Sequence, residues 1–208
     1  MRPLQGYWLE PVSEEPAATS GLGLQFVGRS ASKGGGLAEA CPQCSNPLRL
    51  LAVCPRSPFI PLERYEALLL LLCRACAEES DGFEDGNGFL AKFVDAAGLE
   101  RALRAMRRHL RQPVFFRAEP TGEPEGLAAF ETWKAGRVRG KLGGRQIAIQ
   151  AARPPRPCPA CGAAWTFVAS FEEAWAGESL NFGAGLGYLW ACSAECREDA
   201  AAFYWDCR

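Results

Sequence analysis

The chain has 208 residues, 48% of them hydrophobic, which is enough to bury a core as one large domain or two small lobes. Its formal charge of −1 and pI near 6.0 exclude a bulk electrostatic pull toward nucleic acid or anionic membrane, so any such binding has to be local. Eight of the 10 cysteines fall in four close pairs, and with no export signal this pattern favours metal ligation over a disulfide framework.

Residues 1–20 carry Glu and Pro where a secretory leader needs a continuous apolar run, and they read as an N-terminal extension of a cytoplasmic protein. Residues 21–117 read as a first lobe. Within it "SKGGGLAEACPQC" leads into the strand-like "LRLLAV", and after a variable segment "YEALLLLLCRAC" returns. The apolar run in that return is far shorter than the roughly 20 residues a membrane helix needs, so it predicts a buried strand and no membrane partner. Cys41 and Cys44 form one pair and Cys73 and Cys76 the other, each with two residues between them. That spacing aims both sulfurs of a pair into one concavity, and four thiolates close a tetrahedral zinc site with no position left for substrate or water. The zinc expected here is structural.

Beyond this pair, "AEESDGFED" contains Asp81, Glu84, Asp85 and Asn87, but without the glycine turn and terminal Glu of a calcium loop it reads as surface. Leu99, Leu103, Met106 and Leu110 then recur at spacings of four, three and four, with Pro113 beyond them, which predicts an amphipathic helix between the lobes. Arg101, Arg104, Arg107, Arg108 and Arg111 would lie on its outward side. They are a candidate binding face for nucleic acid or an acidic peptide, set against the plainer reading of a solvated helix surface. "EPTGEPEG" reads as a linker, and Leu127, Phe130 and Trp133 could share one face of a second helix over 127–135.

Residues 118–208 read as a second lobe built from the same parts in the same order. "GKLGGRQIAIQAARPPRPCPACG" is followed by "WTFVASF" and then by "LNFGAGLGYLWACSAEC". Cys44 and Cys73 are 29 positions apart, Cys161 and Cys192 are 31, so Cys158, Cys161, Cys192 and Cys196 make a second structural zinc site with its last pair stretched by one residue. Trp165, Phe167, Ala169 and Phe171 alternate as strand residues on one buried face should. The fold class expected is α+β: two repeated, mostly antiparallel β lobes, each stabilised by zinc, with the amphipathic helix between them.

Two cysteines are left over. Cys207 reads as a small apolar residue of a last strand, "AFYWDC", or a competitor for a ligand position. Cys54 as a nucleophile would need a base, and the sole histidine, His109, lies in the Arg-rich helix. The double-glycine turns at 33–36 and 141–144 lack the Gly-Lys-Ser/Thr of a phosphate loop. No catalytic residue is assigned, and the chain is not expected to be an enzyme.

Taken together, "CPACGAAWTFVASF", "SLNFGAGLGYLWACSAEC" and "AFYWDC", with "SKGGG", "CPQCSNPLRLLA" and "LLLLLCRAC" in the first half, resemble the programmed cell death protein 2 family and the related bacterial YwqG-like family. The resemblance covers roughly residues 21–76 and 137–207, and "GGGLAEA" stands where the eukaryotic members carry a tryptophan after the double glycine. It implies that the eight paired cysteines match the family's metal ligands. It also implies a role like that of the eukaryotic members, which are dedicated chaperones of a small-subunit ribosomal protein. The function expected is thus a non-enzymatic, cytosolic, zinc-binding protein-interaction module, chaperone-like toward one protein partner. The alternatives are an immunity-type protein that neutralises a toxin, with "SDGFED", Glu172, Glu173 and Glu178 as its acidic hint, and an RNA-associated factor using the arginines.

Overall fold

The computed structural model describes residues 6–12, 22–26, 39–58, 60, 62–79, 88–109, 114–120, 140–149, 156–172 and 185–206. Arg111, Cys207, the double-glycine turn at 33–36, the acidic residues at 81–87 and the expected helix at 127–135 lie outside them.

Among these described residues, ten strands and two helices follow in the order β1 (Tyr7–Val12), β2 (Leu22–Phe26), β3 (Arg49–Pro55), β4 (Ala67–Leu72), α1 (Arg74–Glu79), β5 (Phe89–Val94), α2 (Ala96–His109), β6 (Val114–Pro120), β7 (Gly140–Leu142), β8 (Trp165–Glu172), β9 (Leu186–Cys192) and β10 (Ala201–Asp206). All the strands join one sheet, in the order β10-β9-β8-β7-β1-β6-β2-β3-β4-β5, and every pairing is antiparallel.

The run "ALLLLL" is a strand because both of its faces are covered. Leu68, Leu70 and Leu72 enter one apolar cluster, while Ala67, Leu69 and Leu71 enter another on the opposite face. Such two-sided burial is what a continuous apolar run encodes, and each buried leucine contributes about 1.5–3 kcal/mol. The first cluster also takes Leu9, Phe93, Leu142, Phe171, Leu189 and Phe203, from strands spread across the whole sheet. One face of the sheet therefore wraps around a common core. The two end strands meet in the process: Phe89 of β5 packs on Phe203 of β10 at 4.6 Å between ring centres, and Phe93 N–H donates to Glu198 O at 2.7 Å.

The outer face of each half has its own cover. On β3–β5 it is α2, which starts at Asp95, whose side chain accepts the Gly98 N–H at 2.8 Å as an N-cap. The helix lays Leu99, Ala102 and Leu103 on Leu50, Val53 and Leu69. On β8–β10 the cover is the segment after β7, whose Ile147, Ala148 and Ile149 pack with Phe167, Tyr188 and Trp190. Tyr188 receives the Ile149 N–H at 3.3 Å and donates to Asp206 at 2.7 Å, so the buried hydroxyl is satisfied on both sides. Burial first, then its carboxylate partner Asp206, raises the Tyr188 pKa far above the usual phenol range.

The repeat is visible in the backbone. β3 and β8 each carry a register shift seven residues after the second cysteine of their CPxC turn, at Leu51 and at Val168. These bulges change which residues face inward. Trp165, Phe167, Ala169 and Phe171 do not share one face as their alternation predicts: the bulge leaves Phe167 on the outer cluster and turns Ala169 and Phe171 into the common core.

The two halves differ from the expected lobes at their seam. Tyr7–Val12, within the stretch read as an N-terminal extension, is a central strand that pairs with β6 on one side and β7 on the other. β6 in turn pairs with β2. The repeat is β1–β5 followed by β6–β10, with its first strands exchanged, so that β1 completes the second half and β6 the first. The boundary expected between residues 117 and 118 falls inside β6, and the supposed linker begins with the strand's last residues, Glu119 and Pro120. Hydrophobic periodicity reports which residues are buried, not which distant strand they pair with, and this explains the difference.

Because Leu9 is fully buried in β1 at this seam, Leu9→Ala is expected to destabilise the protein by about 2–5 kcal/mol in a denaturant titration. An extension outside the fold would give a change within about 0.5 kcal/mol.

Candidate metal centres

Each CPxC turn is closed by its own backbone. In the first, Ser45 N–H donates to Cys41 O at 2.9 Å and Cys41 N–H to Asn46 O at 2.8 Å; in the second, Gly162 N–H donates to Cys158 O at 2.8 Å and Cys158 N–H to Ala163 O at 2.9 Å. The residue after the second cysteine has positive φ in both, 61° at Ser45 and 73° at Gly162. This left-handed step sends the chain away from the turn while both sulfurs stay on its inner side, and Gly162 takes it without steric cost.

The second pair of each half enters from the end of the returning strand. Cys73 N–H donates to Gly88 O at 2.7 Å, and Cys192 N–H to Ala200 O at 2.9 Å, two equivalent bonds that fix where β4 and β9 stop. Gly88 has no alternative, because a Cβ there would collide with the backbone of Ala77 in α1. After Cys73 the chain turns into the short helix α1, which carries Cys76; after Cys192 it forms a longer turn to Cys196.

The eight cysteines expected as ligands come together as two sets of four: Cys41, Cys44, Cys73 and Cys76, and Cys158, Cys161, Cys192 and Cys196. Within each set the sulfurs all lie within 4.8 Å of one another. Cys41 is 3.8 Å from Cys76, and Cys44 is 3.4 Å from both Cys73 and Cys76. In the other set Cys158 and Cys196 are 3.7 Å apart, Cys161 and Cys192 3.6 Å, and Cys192 and Cys196 3.8 Å. Four sulfurs at metal–sulfur bonds of about 2.3 Å, arranged as a tetrahedron, sit about 3.8 Å apart. The sulfurs therefore fit a tetrahedral thiolate site, and at these separations none is disulfide-bonded. Each cluster can hold one metal ion, two in all. Burial repeats as well: the first and third cysteine of each set are buried, the second is exposed and the fourth half-buried.

The clusters are electrostatically poised for a cation. The Asn46 N–H, with the Cys73 and Cys76 side chains, brings the Cys44 thiol down to about 6. Burial opposes ionisation of Cys192, but the N–H groups of Ala194 and Cys196 and the neighbouring thiols outweigh it and bring the pKa to about 7. The partners move the other way: the hydrogen bond with Cys44 raises Cys76, and burial with the thiols around it raises Cys196 to about 12. The first thiolate in each cluster is stabilised by its neighbours and opposes the next, a conflict that a divalent cation removes.

Cys54 stands apart. It lies in β3 within the common core, fully buried, and desolvation alone raises its thiol far above the usual range, so it is neither a ligand of either set nor an accessible nucleophile. On α2, Arg101 and Arg104 are exposed and Arg104 pairs with Glu100 one turn earlier. Arg107, Arg108 and His109 lie on the last turns of the same helix.

Two features escaped the sequence. The first is a groove of about 730 Å³ beside the second cluster, bordered by Arg156, Pro157, Pro159, Trp165, Arg197 and Asp199. The second is Glu195, the residue that makes the last cysteine pair one longer than its counterpart, which is buried. The stretched spacing was its only signal. No helix among the described residues is long and apolar enough to cross a membrane. No family model, curated protein or solved structure matches the chain.

Elemental analysis and native mass spectrometry of the purified chain should find two metal ions per molecule. Cys44→Ser and Cys161→Ser should each retain one; a variant that keeps both would remove that cysteine from the ligand set. Cys54→Ala should keep two metals, and the Cys54 thiol should resist alkylation until the protein unfolds.

Proposed function

We propose that the protein is a zinc-stabilised protein-interaction module that shelters one protein partner in the cytosol and has no enzymatic role. The observation that carries this reading is the completeness of the two thiol sets. Zinc held by four thiolates has no open coordination position, so it would serve the fold and not a reaction. Zinc is favoured over harder cations by the all-sulfur donor set, and over a cofactor that must turn over by the closed geometry.

Support for a protein partner comes from the groove beside the second cluster. Trp165 and two prolines offer apolar contact for an extended chain, while Arg156 at its edge favours an acidic residue nearby; Arg197 is already paired with Asp199. Aromatic and arginine side chains are the types that dominate binding at protein interfaces. The arginine face of α2 supports an RNA partner less well, since Arg104 is already paired with Glu100. A toxin partner remains the immunity-type outcome of the same experiment.

Affinity capture from nuclease-treated native cytosol should recover one protein at near-equal amount, with yield falling about tenfold for Arg156→Glu or Trp165→Ala and binding lost when a chelator strips the metal. Recovery of a secreted toxin would make the protein an immunity factor. Nuclease-sensitive, salt-sensitive recovery would favour RNA, and unchanged binding by the metal-free chain would contradict the coupling of partner to fold.

A further inference from the structure

The residue that distinguishes the second cysteine pair from the first is committed to the opposite half of the molecule. Glu195 sits between Ala194 and Cys196 with φ of 43°, a left-handed conformation rare for a residue with a side chain, and is only 6% exposed. Its carboxylate accepts the N–H groups of Glu63 and Arg64 at 2.8 Å each and of Tyr65 at 3.2 Å, and its own carbonyl accepts Arg64 Nη1 at 3.1 Å. Residues 63–65 belong to the connection between β3 and β4, in the first repeat. Three consecutive N–H groups converging on one carboxylate form an anion nest, filled here from within the chain.

This contact lies at the junction where the sheet's two end strands meet. Tyr65 stacks on Phe93 of β5 at 5.0 Å, and Phe93 N–H is the donor to Glu198 O, three residues beyond Glu195. Among the described residues, β5 and β10 are not joined by a strand ladder of the kind that joins β1 to β6. On the metal side, Ala194 and Cys196, the two neighbours of Glu195, aim their N–H groups at Cys192 Sγ, and Glu195 N–H donates to Cys192 O at 2.9 Å. One five-residue turn thus holds two sulfurs of the second cluster and the acceptor for three amides of the other half.

We infer that Glu195 is a latch that couples metal loading of the second cluster to closure of the junction between β5 and β10. With both Cys192 and Cys196 bound to the ion, the turn is fixed and the carboxylate stays in the nest. Without the ion, the turn loses two anchors and the nest loses its acceptor. Among the described residues the first cluster shows no such device: Cys73 and Cys76 are separated by only two residues, and Cys76 lies in α1. The two metal sites are therefore unequal: the first clamps its own strands, while the second also governs closure of the whole sheet. The inference rests on the reading of both thiol sets as metal sites.

Hydrogen exchange on the zinc-loaded full-length chain separates the two roles. Cys161→Ser, which disables the second site alone, should speed exchange at Arg64, Tyr65 and Phe93 by about tenfold or more, and Cys44→Ser should leave them within about twofold. In the Cys44→Ser background, Glu195→Gln should weaken zinc binding at the remaining site by about tenfold in competition with a chromophoric chelator. If Cys161→Ser does not fold, Glu195→Gln in the otherwise native chain is measured instead, and it should free the same amides while two zinc ions stay bound. Equal exchange at these amides in both cysteine variants, or unchanged zinc affinity on Glu195→Gln, overturns the latch. Native protein that binds no metal overturns the metal reading and the latch together; two bound ions with indifferent amides overturn the latch alone.

Discussion

Four sulfurs, drawn from two turns about 30 residues apart, have to meet at one end of a strand pair, and that requirement shapes each half of this protein. It fixes where β3 and β8 begin, through the closed CPxC turns, and where β4 and β9 end, through the paired amide bonds of Cys73 and Cys192. Between those fixed points the strands must place one face inward and one outward. The bulges at equivalent positions in β3 and β8 switch the facing partway along each strand, so both apolar faces find cover.

The second constraint is the exchange of first strands between the repeats. A duplicated unit whose copies were independent would pair β1 with β2 and β6 with β7. Here β1 pairs with β6 and β7, and β6 pairs with β1 and β2, so neither half is complete without a strand from the other. The core agrees, because Leu9 of β1 belongs to a cluster that also includes Phe93 and Phe203 from the two end strands of the sheet. A partner that engages the groove beside the second cluster would therefore bind a surface whose shape depends on the entire sheet.

The sequence made much of this legible, for definite reasons. Cysteine spacing identified both four-sulfur clusters, because a metal site restricts such spacing tightly. Continuous apolar runs identified β4 and β9, whose residues are all buried, and leucine spacing located α2. The seam was not legible: "YWLEPV" mixes Glu and Pro into a strand whose partners lie more than 100 residues away, and no local pattern records such pairing. The alternation from Trp165 to Phe171 was misleading because a single bulge reverses the facing. Glu195 was hidden for a related reason, since its partners at 63–65 become visible only once the two ends of the sheet are brought together.

With both clusters loaded, metal would tie together the strand ends of each half of this sheet. Bound structural zinc contributes on the order of 10 kcal/mol per site to folding, comparable to the whole stability of a domain. The most direct test is a guanidinium titration of the metal-loaded and the metal-stripped chain, followed by far-ultraviolet circular dichroism. A single cooperative transition that disappears on stripping and returns when zinc is restored is the predicted result; the same midpoint and slope with and without metal would contradict it.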